Sequence, residues 1–144
     1  MRVTRRYRFA ASHRLHLSDL SEEANRDLYG KCNNPFGHGH DYILEVTVSG
    51  PRDTATGLVI TVPVLDRLVS EQVLNDFDHK YFNVDVSDFA NLVPTSENII
   101  RVIESRLKER WKAVFPGAWP RLEKIRLQET KRNSFQLIES EITK

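Results

Sequence analysis

The chain has 144 residues, of which 40% are hydrophobic and 28% are charged, and its formal net charge is +1. This composition predicts a single globular domain over 1–144 and carries no charge signature of a nucleic-acid-binding protein. No apolar run approaches the roughly 20 residues that cross a bilayer, so we expect a protein that binds no membrane.

The single cysteine of the chain excludes an intramolecular disulfide and is typical of a protein kept in a reducing compartment. The basic N-terminus is not followed by the apolar segment of a secretory signal. We therefore expect a cytoplasmic protein.

Two strands are predicted before residue 50. The first ends near His13, and its apolar face carries the odd-numbered residues Val3, Tyr7, Phe9 and Ala11. The second runs from His40 to Ser49, and its apolar face carries Tyr42, Leu44, Val46 and Val48. The polar segment 17–37 between them is predicted mainly as a long loop with a short helix at 21–24. A long loop in a compact domain is often functional.

Two helices are predicted in the second half of the chain. The first begins after Thr61, which we expect to be its N-cap, and its apolar residues recur at helical spacing as far as Phe77. The second begins at Thr95 or Ser96 and ends before Pro116.

The remaining elements are predicted as strands. Segment 57–60 reads as a short strand, and segments 122–129 and 134–141 read as a hairpin. Strands followed by helices and then by a hairpin predict the α+β class, with an antiparallel sheet and the helices packed on one face of it.

Three histidines point to a metal site. His38 and His40 lie two residues apart at the start of the second strand, so their side chains share a face. His13 lies on the apolar face of the first strand. If these strands are neighbours, three imidazoles meet at one end of the sheet, and three histidines with an open position are the ligand set of a catalytic zinc ion. The alternative is a chance His-x-His pair and a buried core histidine.

Cys32 lies six residues before the histidine pair, in a turn rich in Asn, Pro and Gly. A thiolate there could act beside a metal ion, and the neighbouring cation Lys31 would lower the pKa of the thiol below its usual value of about 8.5. The alternative is that Cys32 is a fourth zinc ligand, which would close the site to catalysis.

Three further residues carry groups that suit acid–base chemistry or ligand binding. Asp78 and His79 are adjacent, and a carboxylate can orient an imidazole for proton transfer, although the pair could equally be an exposed helix end. Glu129 shares its parity with Ile125 and Leu127 and should point inward. A buried carboxylate needs a partner, which could be the donor edge of a heterocyclic ligand or a nearby Arg or Lys.

Five segments, taken in order, resemble the signatures of one enzyme family. They are FAASHRL at 9–15, GKCNNPFGHGHDY at 30–42, FDHK at 77–80, PTSEN at 94–98 and QET at 128–130. Over nearly its whole length the chain resembles the 6-pyruvoyltetrahydropterin synthases and the related 6-carboxytetrahydropterin synthases.

The resemblance implies a role for each residue that matches these signatures. The implied ligands of Zn²⁺ are His13, His38 and His40. The implied catalytic residues are Cys32, as the base that moves protons of the substrate side chain, with Asp78 and His79 assisting it. The implied pterin-binding residues are Glu129, Thr95, Ser96 and Glu97. Basic residues that could meet the triphosphate are Arg14, Lys31 and Lys80.

The resemblance also implies an assembly and a reaction. The fold would be the tunnelling fold, in which three four-stranded antiparallel sheets join into a twelve-stranded barrel and two trimers stack into a homohexamer. The enzyme would be a lyase of tetrahydrobiopterin biosynthesis that converts 7,8-dihydroneopterin triphosphate to 6-pyruvoyltetrahydropterin. Triphosphate is eliminated and the redox change is internal, so no nicotinamide cofactor is needed.

Two alternatives stay open at this point. One is 6-carboxytetrahydropterin synthase of the queuosine (7-deazapurine) pathway, which uses the same substrate and also removes the two terminal carbons of its side arm. Relatives of that type usually have three residues between the cysteine and the histidine pair, whereas this sequence has five, at 33–37. The other is a non-catalytic oligomer stabilised by zinc, with Cys32 as the fourth ligand.

Overall fold

The computed structural model describes residues 1–142, and a single sheet forms its centre. The strands are β1 (Arg2–His13), β2 (His38–Ser49), β3 (Lys80–Tyr81), β4 (Arg121–Gln128) and β5 (Ser134–Ile138). Their order across the sheet is β3-β1-β2-β4-β5. Strands β1, β2, β4 and β5 are antiparallel neighbours, whereas the short β3 lies parallel to β1.

The expected four-stranded sheet is therefore wrong by one strand. Strand β3 is only two residues long, and it pairs with β1 through Ala11 and Ser12. A segment this short has no alternation for a sequence pattern to detect. The expected class, α+β, is confirmed.

The helices are α1 (Glu22–Tyr29), α2 (Val62–Val69), α3 (Asn75–Phe77), α4 (Phe82–Asp85), α5 (Ser96–Val114) and α6 (Glu139–Ile142). A π-helical segment, Ser70–Leu74, joins α2 to α3, so the helix predicted as far as Phe77 is continuous. Helix α5 begins where predicted, because the Thr95 hydroxyl accepts a hydrogen bond from the Asn98 N–H at 3.2 Å. Thr61 occupies the N-cap of α2, but its hydroxyl forms no capping hydrogen bond.

The core lies between the apolar face of the sheet and the helices. Alternate residues of β1 and β2 are buried there, as predicted, and Phe9 stacks on Tyr42 with ring centroids 4.9 Å apart. The buried residues of α2, the π-helical segment, α3 and α5 complete the same core, and they include Leu65, Val73, Phe77, Ile99, Ile103 and Leu107. In the described part of the protein, no helix is both long and apolar enough to span a membrane.

Three strand predictions were wrong, one entirely and two at one end. Segment 57–60 lies in an irregular loop instead of a strand. Asp53 accepts hydrogen bonds from the backbone N–H groups of Ala55 and Thr56, which form the turn immediately before this segment. The final strand ends at Ile138, since α6 takes over the residues expected to extend it. Strand β2 begins earlier than expected, at His38.

The segment 17–37 is more ordered than the predicted loop. It contains α1 and a 3₁₀ turn, Gly30–Asn33, and the side chain of Asn25 holds its start in place. Asn25 is fully buried; its Oδ1 accepts the Leu17 N–H at 2.8 Å, and its Nδ2 lies 2.9–3.3 Å from three carbonyl oxygens, those of Leu17, Leu20 and Ser21.

Substitution of Asn25 by alanine should lower the free energy of unfolding by about 2 kcal/mol, because several buried backbone groups lose their partner. Urea denaturation at a fixed protein concentration measures the change. Asn91→Ala is the matched control, since Asn91 is exposed, and it should change the free energy by less than about 0.5 kcal/mol. Equal effects of the two substitutions would contradict the anchoring role of Asn25.

Candidate active site

The pairing of β1 with β2 brings the three predicted histidines together. His13 is the last residue of β1 and lies opposite His38, the first residue of β2, while His40 lies opposite the small Ala11. The Nε2 atoms of the three rings are 3.1 Å apart for His13 and His38, 3.2 Å for His13 and His40, and 3.3 Å for His38 and His40. The parity argument from the sequence therefore predicted this cluster correctly.

A glycine makes the close approach at this point possible. Gly37, immediately before β2, has φ +73°, and a Cβ placed on it would lie 2.9 Å from the backbone oxygen of His13. Only glycine fits both the conformation and the space. The turn before β2 can therefore pass directly beside the end of β1.

The tautomer of His13 follows from one hydrogen bond. Its Nδ1 lies 2.8 Å from the carbonyl oxygen of Pro94, and because a carbonyl can only accept, Nδ1 carries the proton. The lone pair of Nε2 then points at the other two histidines, as in a metal ligand held by a backbone carbonyl. Burial lowers the pKa of His13 and of His40, which favours the neutral form that binds metals.

The three nitrogen atoms have the spacing of a metal site. In a tetrahedral zinc site with Zn–N bonds of about 2.0–2.1 Å, the nitrogens are roughly 3.3 Å apart, close to the distances found here. Two groups of candidate ligand atoms overlap at this point, each with its atoms within 4.8 Å of one another: His13, Cys32 and His38, and His13, His40 and Glu129.

The two groups share His13; one adds Cys32 and the other adds Glu129. The Nε2 atom of His40 lies 3.9 Å from Glu129 Oε1. Burial and the negative charge of Glu129 raise the pKa of the Cys32 thiol. The expectation that Lys31 lowers the pKa of Cys32 is therefore wrong. Lys31 is exposed, and partial burial of the thiol raises its pKa.

Glu129 points inward, as its parity indicated, and α5 holds it. The buried Ser96, the first residue of α5, donates its hydroxyl proton to Glu129 Oε2 at 2.5 Å. The Glu129 side chain is only 12% exposed, and its other oxygen faces His40. Of the residues grouped with it by sequence, Thr95 caps the helix and Glu97 is exposed in its first turn.

Asp78 and His79 lie at the edge of the sheet beside β1, where His79 lines a cavity that His40 also lines. They contact each other, with His79 Nδ1 3.1 Å from Asp78 Oδ1, and both bind the backbone of Ala10 at the edge of the sheet. The His79 side chain is 82% exposed, and it lines a cavity with Ser12 and Lys80. A single protomer therefore does not bring this pair to Cys32.

The hydroxyl of Tyr42 is a feature that sequence reasoning missed. Tyr42 is fully buried beside His40, with ring centroids 5.6 Å apart, and its oxygen has no hydrogen-bond partner among the described residues. Burial raises the pKa of Tyr42, and the negative charges of Glu129 and Cys32 add to the effect. The apolar stripe of β2 predicted a core ring but gave no signal that its hydroxyl would lack a partner.

Substitution of Tyr42 by phenylalanine should raise the free energy of unfolding by about 1 kcal/mol, because it removes a buried hydroxyl that is not hydrogen-bonded. Tyr7→Phe is the matched control with the opposite sign: the Tyr7 hydroxyl donates to Asp66 at 2.7 Å, and its loss should lower the free energy by about 1 kcal/mol. Urea denaturation measures both. A loss of stability in Tyr42→Phe would mean that the hydroxyl does have a partner.

Comparison with known proteins supports one family across the whole sequence. A sequence model of the 6-pyruvoyl tetrahydropterin synthase family matches residues 2–139. The human 6-pyruvoyl tetrahydrobiopterin synthase is 43% identical over 131 residues, which cover 91% of this chain and 86% of the human protein. The solved structure of the 6-pyruvoyl tetrahydropterin synthase of Caenorhabditis elegans superposes with a TM-score of 0.84 at 35% identity, over 96% of this chain and 94% of that one.

The chain is also similar, over a shorter stretch, to a 6-carboxytetrahydropterin synthase, the second type of enzyme that the sequence resembled. The 6-carboxy-5,6,7,8-tetrahydropterin synthase of Rickettsia conorii is 32% identical over 79 residues, which cover 55% of this chain and 49% of that protein. The similarity to the pyruvoyl enzymes is both higher and more extensive. The chain belongs to the 6-pyruvoyl tetrahydropterin synthase family.

Proposed function

We propose that this protein converts 7,8-dihydroneopterin triphosphate to 6-pyruvoyltetrahydropterin and triphosphate, with zinc bound by His13, His38 and His40. The observation that carries the proposal is the convergence of three Nε2 atoms within 3.3 Å of one another. Cys32 and Glu129 each offer a ligand atom within 4.8 Å of one on His13. A bound zinc ion would polarise oxygen atoms of the substrate side arm and make the adjacent C–H bonds more acidic.

Glu129 is the proposed anchor of the pterin ring. A carboxylate can accept two parallel hydrogen bonds from neighbouring N–H groups, and the 2-amino pyrimidine edge of a pterin offers such a pair. Ser96 fixes one oxygen of the carboxylate at 2.5 Å, so the acceptor direction is set before the ligand arrives. Thr95 and Glu97 belong to the same proposed ring-binding segment at the start of α5.

Cys32 is the proposed base. Its thiolate would take a proton from a C–H bond of the substrate side arm and return protons elsewhere on the ring system. The electrons stay within the substrate. The two hydroxyl-bearing carbons are oxidised to carbonyls; one oxidation is matched by reduction of the ring, and the other by reduction of the terminal carbon, whose C–O bond breaks to release triphosphate and which becomes a methyl group. This balance needs no external oxidant or reductant.

Asp78 and His79 are proposed to assist proton transfer in the active site of a neighbouring subunit. In one protomer the pair lies at the sheet edge beside β1, apart from Cys32. An edge strand invites pairing with another molecule, and we propose that three sheets close into a twelve-stranded barrel and that two trimers form a cytoplasmic homohexamer. Such closure would also bury the edges that the isolated protomer leaves open.

The product mass tests this function. Zinc-loaded protein, incubated anaerobically with 7,8-dihydroneopterin triphosphate, should release a product that keeps its three-carbon side arm. The five residues at 33–37 between Cys32 and His38 favour this outcome. A product shortened to the 6-carboxylate, with acetaldehyde released, would contradict it and support the branch of the family that serves queuosine synthesis.

Cys32→Ala separates a base from a zinc ligand. We expect the variant to keep its zinc and its fold while activity falls by about 100-fold or more, since a positioned acid–base group contributes about 10²–10⁴-fold. Metal analysis, circular dichroism and turnover provide the three readouts. His13→Ala is the matched control and should lose zinc together with activity. Loss of zinc and fold in Cys32→Ala would instead support a non-catalytic structural site.

A further inference from the structure

A cavity of about 450 Å³ opens beside His38, between α1 and the turn that carries Cys32. Its volume lies within the usual range for a small-molecule site. Four charged residues line it: the cations Arg14, Arg26 and Lys31, and the carboxylate Glu22. The cavity therefore carries an excess of positive charge next to a candidate metal ligand.

Arg14 is held in place at the inner side of the cavity. Its backbone N–H donates to Asn83 Oδ1 at 2.8 Å, and Asn83 Nδ2 donates to the Arg14 carbonyl at 2.8 Å. Its Nε donates to the Asn33 carbonyl at 3.3 Å. The terminal guanidinium nitrogens form no hydrogen bond or ion pair within residues 1–142, so they keep donors for a ligand.

Arg26 and Lys31 also line this cavity. Neither side chain forms an ion pair or hydrogen bond with the part of the protein that the structure describes. Their backbone is nevertheless fixed, because Arg26 follows the buried Asn25 and Lys31 lies two residues before the buried Asn33. Two such cations on ordered backbone around one cavity raise the positive potential there, and a positive potential attracts an anion.

A series of contacts connects Glu129 to the basic cavity through the histidines. Glu129 lies next to His40, His40 lies next to His38, and His38 borders the basic cavity. The proposed substrate has the same order, with a pterin ring, two hydroxyl-bearing carbons and a third carbon that carries the triphosphate. With the ring at Glu129 and the hydroxyl groups at the histidines, the polyphosphate would extend past His38.

We propose that Arg14, Arg26 and Lys31 bind the triphosphate group of the substrate in this cavity, an inference that rests on the proposed function. Arginine can bind phosphate oxygens through two parallel hydrogen bonds, and lysine supplies a compact charge. Cations at this position would also stabilise the charge that develops on the leaving group as the C–O bond breaks.

Lys80 offers a competing location with less favourable charge. The cavity that it lines is also bordered by one of the clustered histidines, His40, but it contains the carboxylates of Asp41 and Asp85. Two carboxylates repel a polyanion, whereas the cavity beside His38 has three cations against the single carboxylate of Glu22.

The test is the binding of inorganic tripolyphosphate to the zinc-loaded protein, measured by calorimetry. Arg26→Gln and Lys31→Gln should each weaken binding by about tenfold, as expected for the loss of one charge-assisted contact. Glu22→Gln should tighten it, which a purely structural role would not predict. Lys112→Gln, an exposed lysine near the end of α5, is the control and should leave binding unchanged. Zinc content is measured after each titration, because the probe can chelate the metal.

Turnover separates this inference from the proposed function. Suppose that the pterin product forms, but that neither Arg26→Gln nor Lys31→Gln weakens tripolyphosphate binding or raises the KM. The assignment of this cavity is then overturned and the proposed function stands. The same conclusion follows if the product forms and Lys80→Gln has the larger effect. If no pterin product forms but both variants still weaken tripolyphosphate binding, the proposed function fails and the cavity remains a polyphosphate site.

Discussion

The candidate site depends on the register between β1 and β2. The two strands are paired along their whole length, from Arg2 opposite Ser49 to His13 opposite His38. A slip of one residue would turn the side chains of one strand to the other face, and it would separate His13 from the His38 and His40 pair. The same register buries Phe9 against Tyr42, so the packing of the core maintains the geometry of the histidines.

The histidine cluster could be predicted because it follows from strand parity. An alternation of two along each strand fixes which residues share a face, and that was enough to group His13 with His38 and His40 and to turn Glu129 inward. The main helices were predictable for a similar reason, since their apolar residues recur at helical spacing. Strand β3 is too short to show a period. Segment 57–60 has the apolar composition of a strand, although it lies in a loop.

What could not be predicted are contacts between segments far apart in the sequence. The carbonyl of Pro94 reaches His13, and the hydroxyl of Ser96 reaches Glu129; no local pattern indicates either contact. Arg14 lines the same cavity as Arg26 and Lys31, although it belongs to a different segment of the sequence. These contacts set the tautomer of His13, the direction of the Glu129 carboxylate and the positive charge of the cavity. The sequence motifs identify only the residue types of the site.

The segment at the start of α5 contacts both the histidine cluster and Glu129. Pro94 fixes the proton on one histidine, and two residues later Ser96 fixes the carboxylate. A shift of this short segment would disturb both partners at once. For the proposed zinc and pterin sites, metal affinity and ring selectivity would therefore be coupled through one piece of backbone. Redesign of the proposed pocket for a different heterocycle would have to repack the turn before α5 without moving the Pro94 carbonyl.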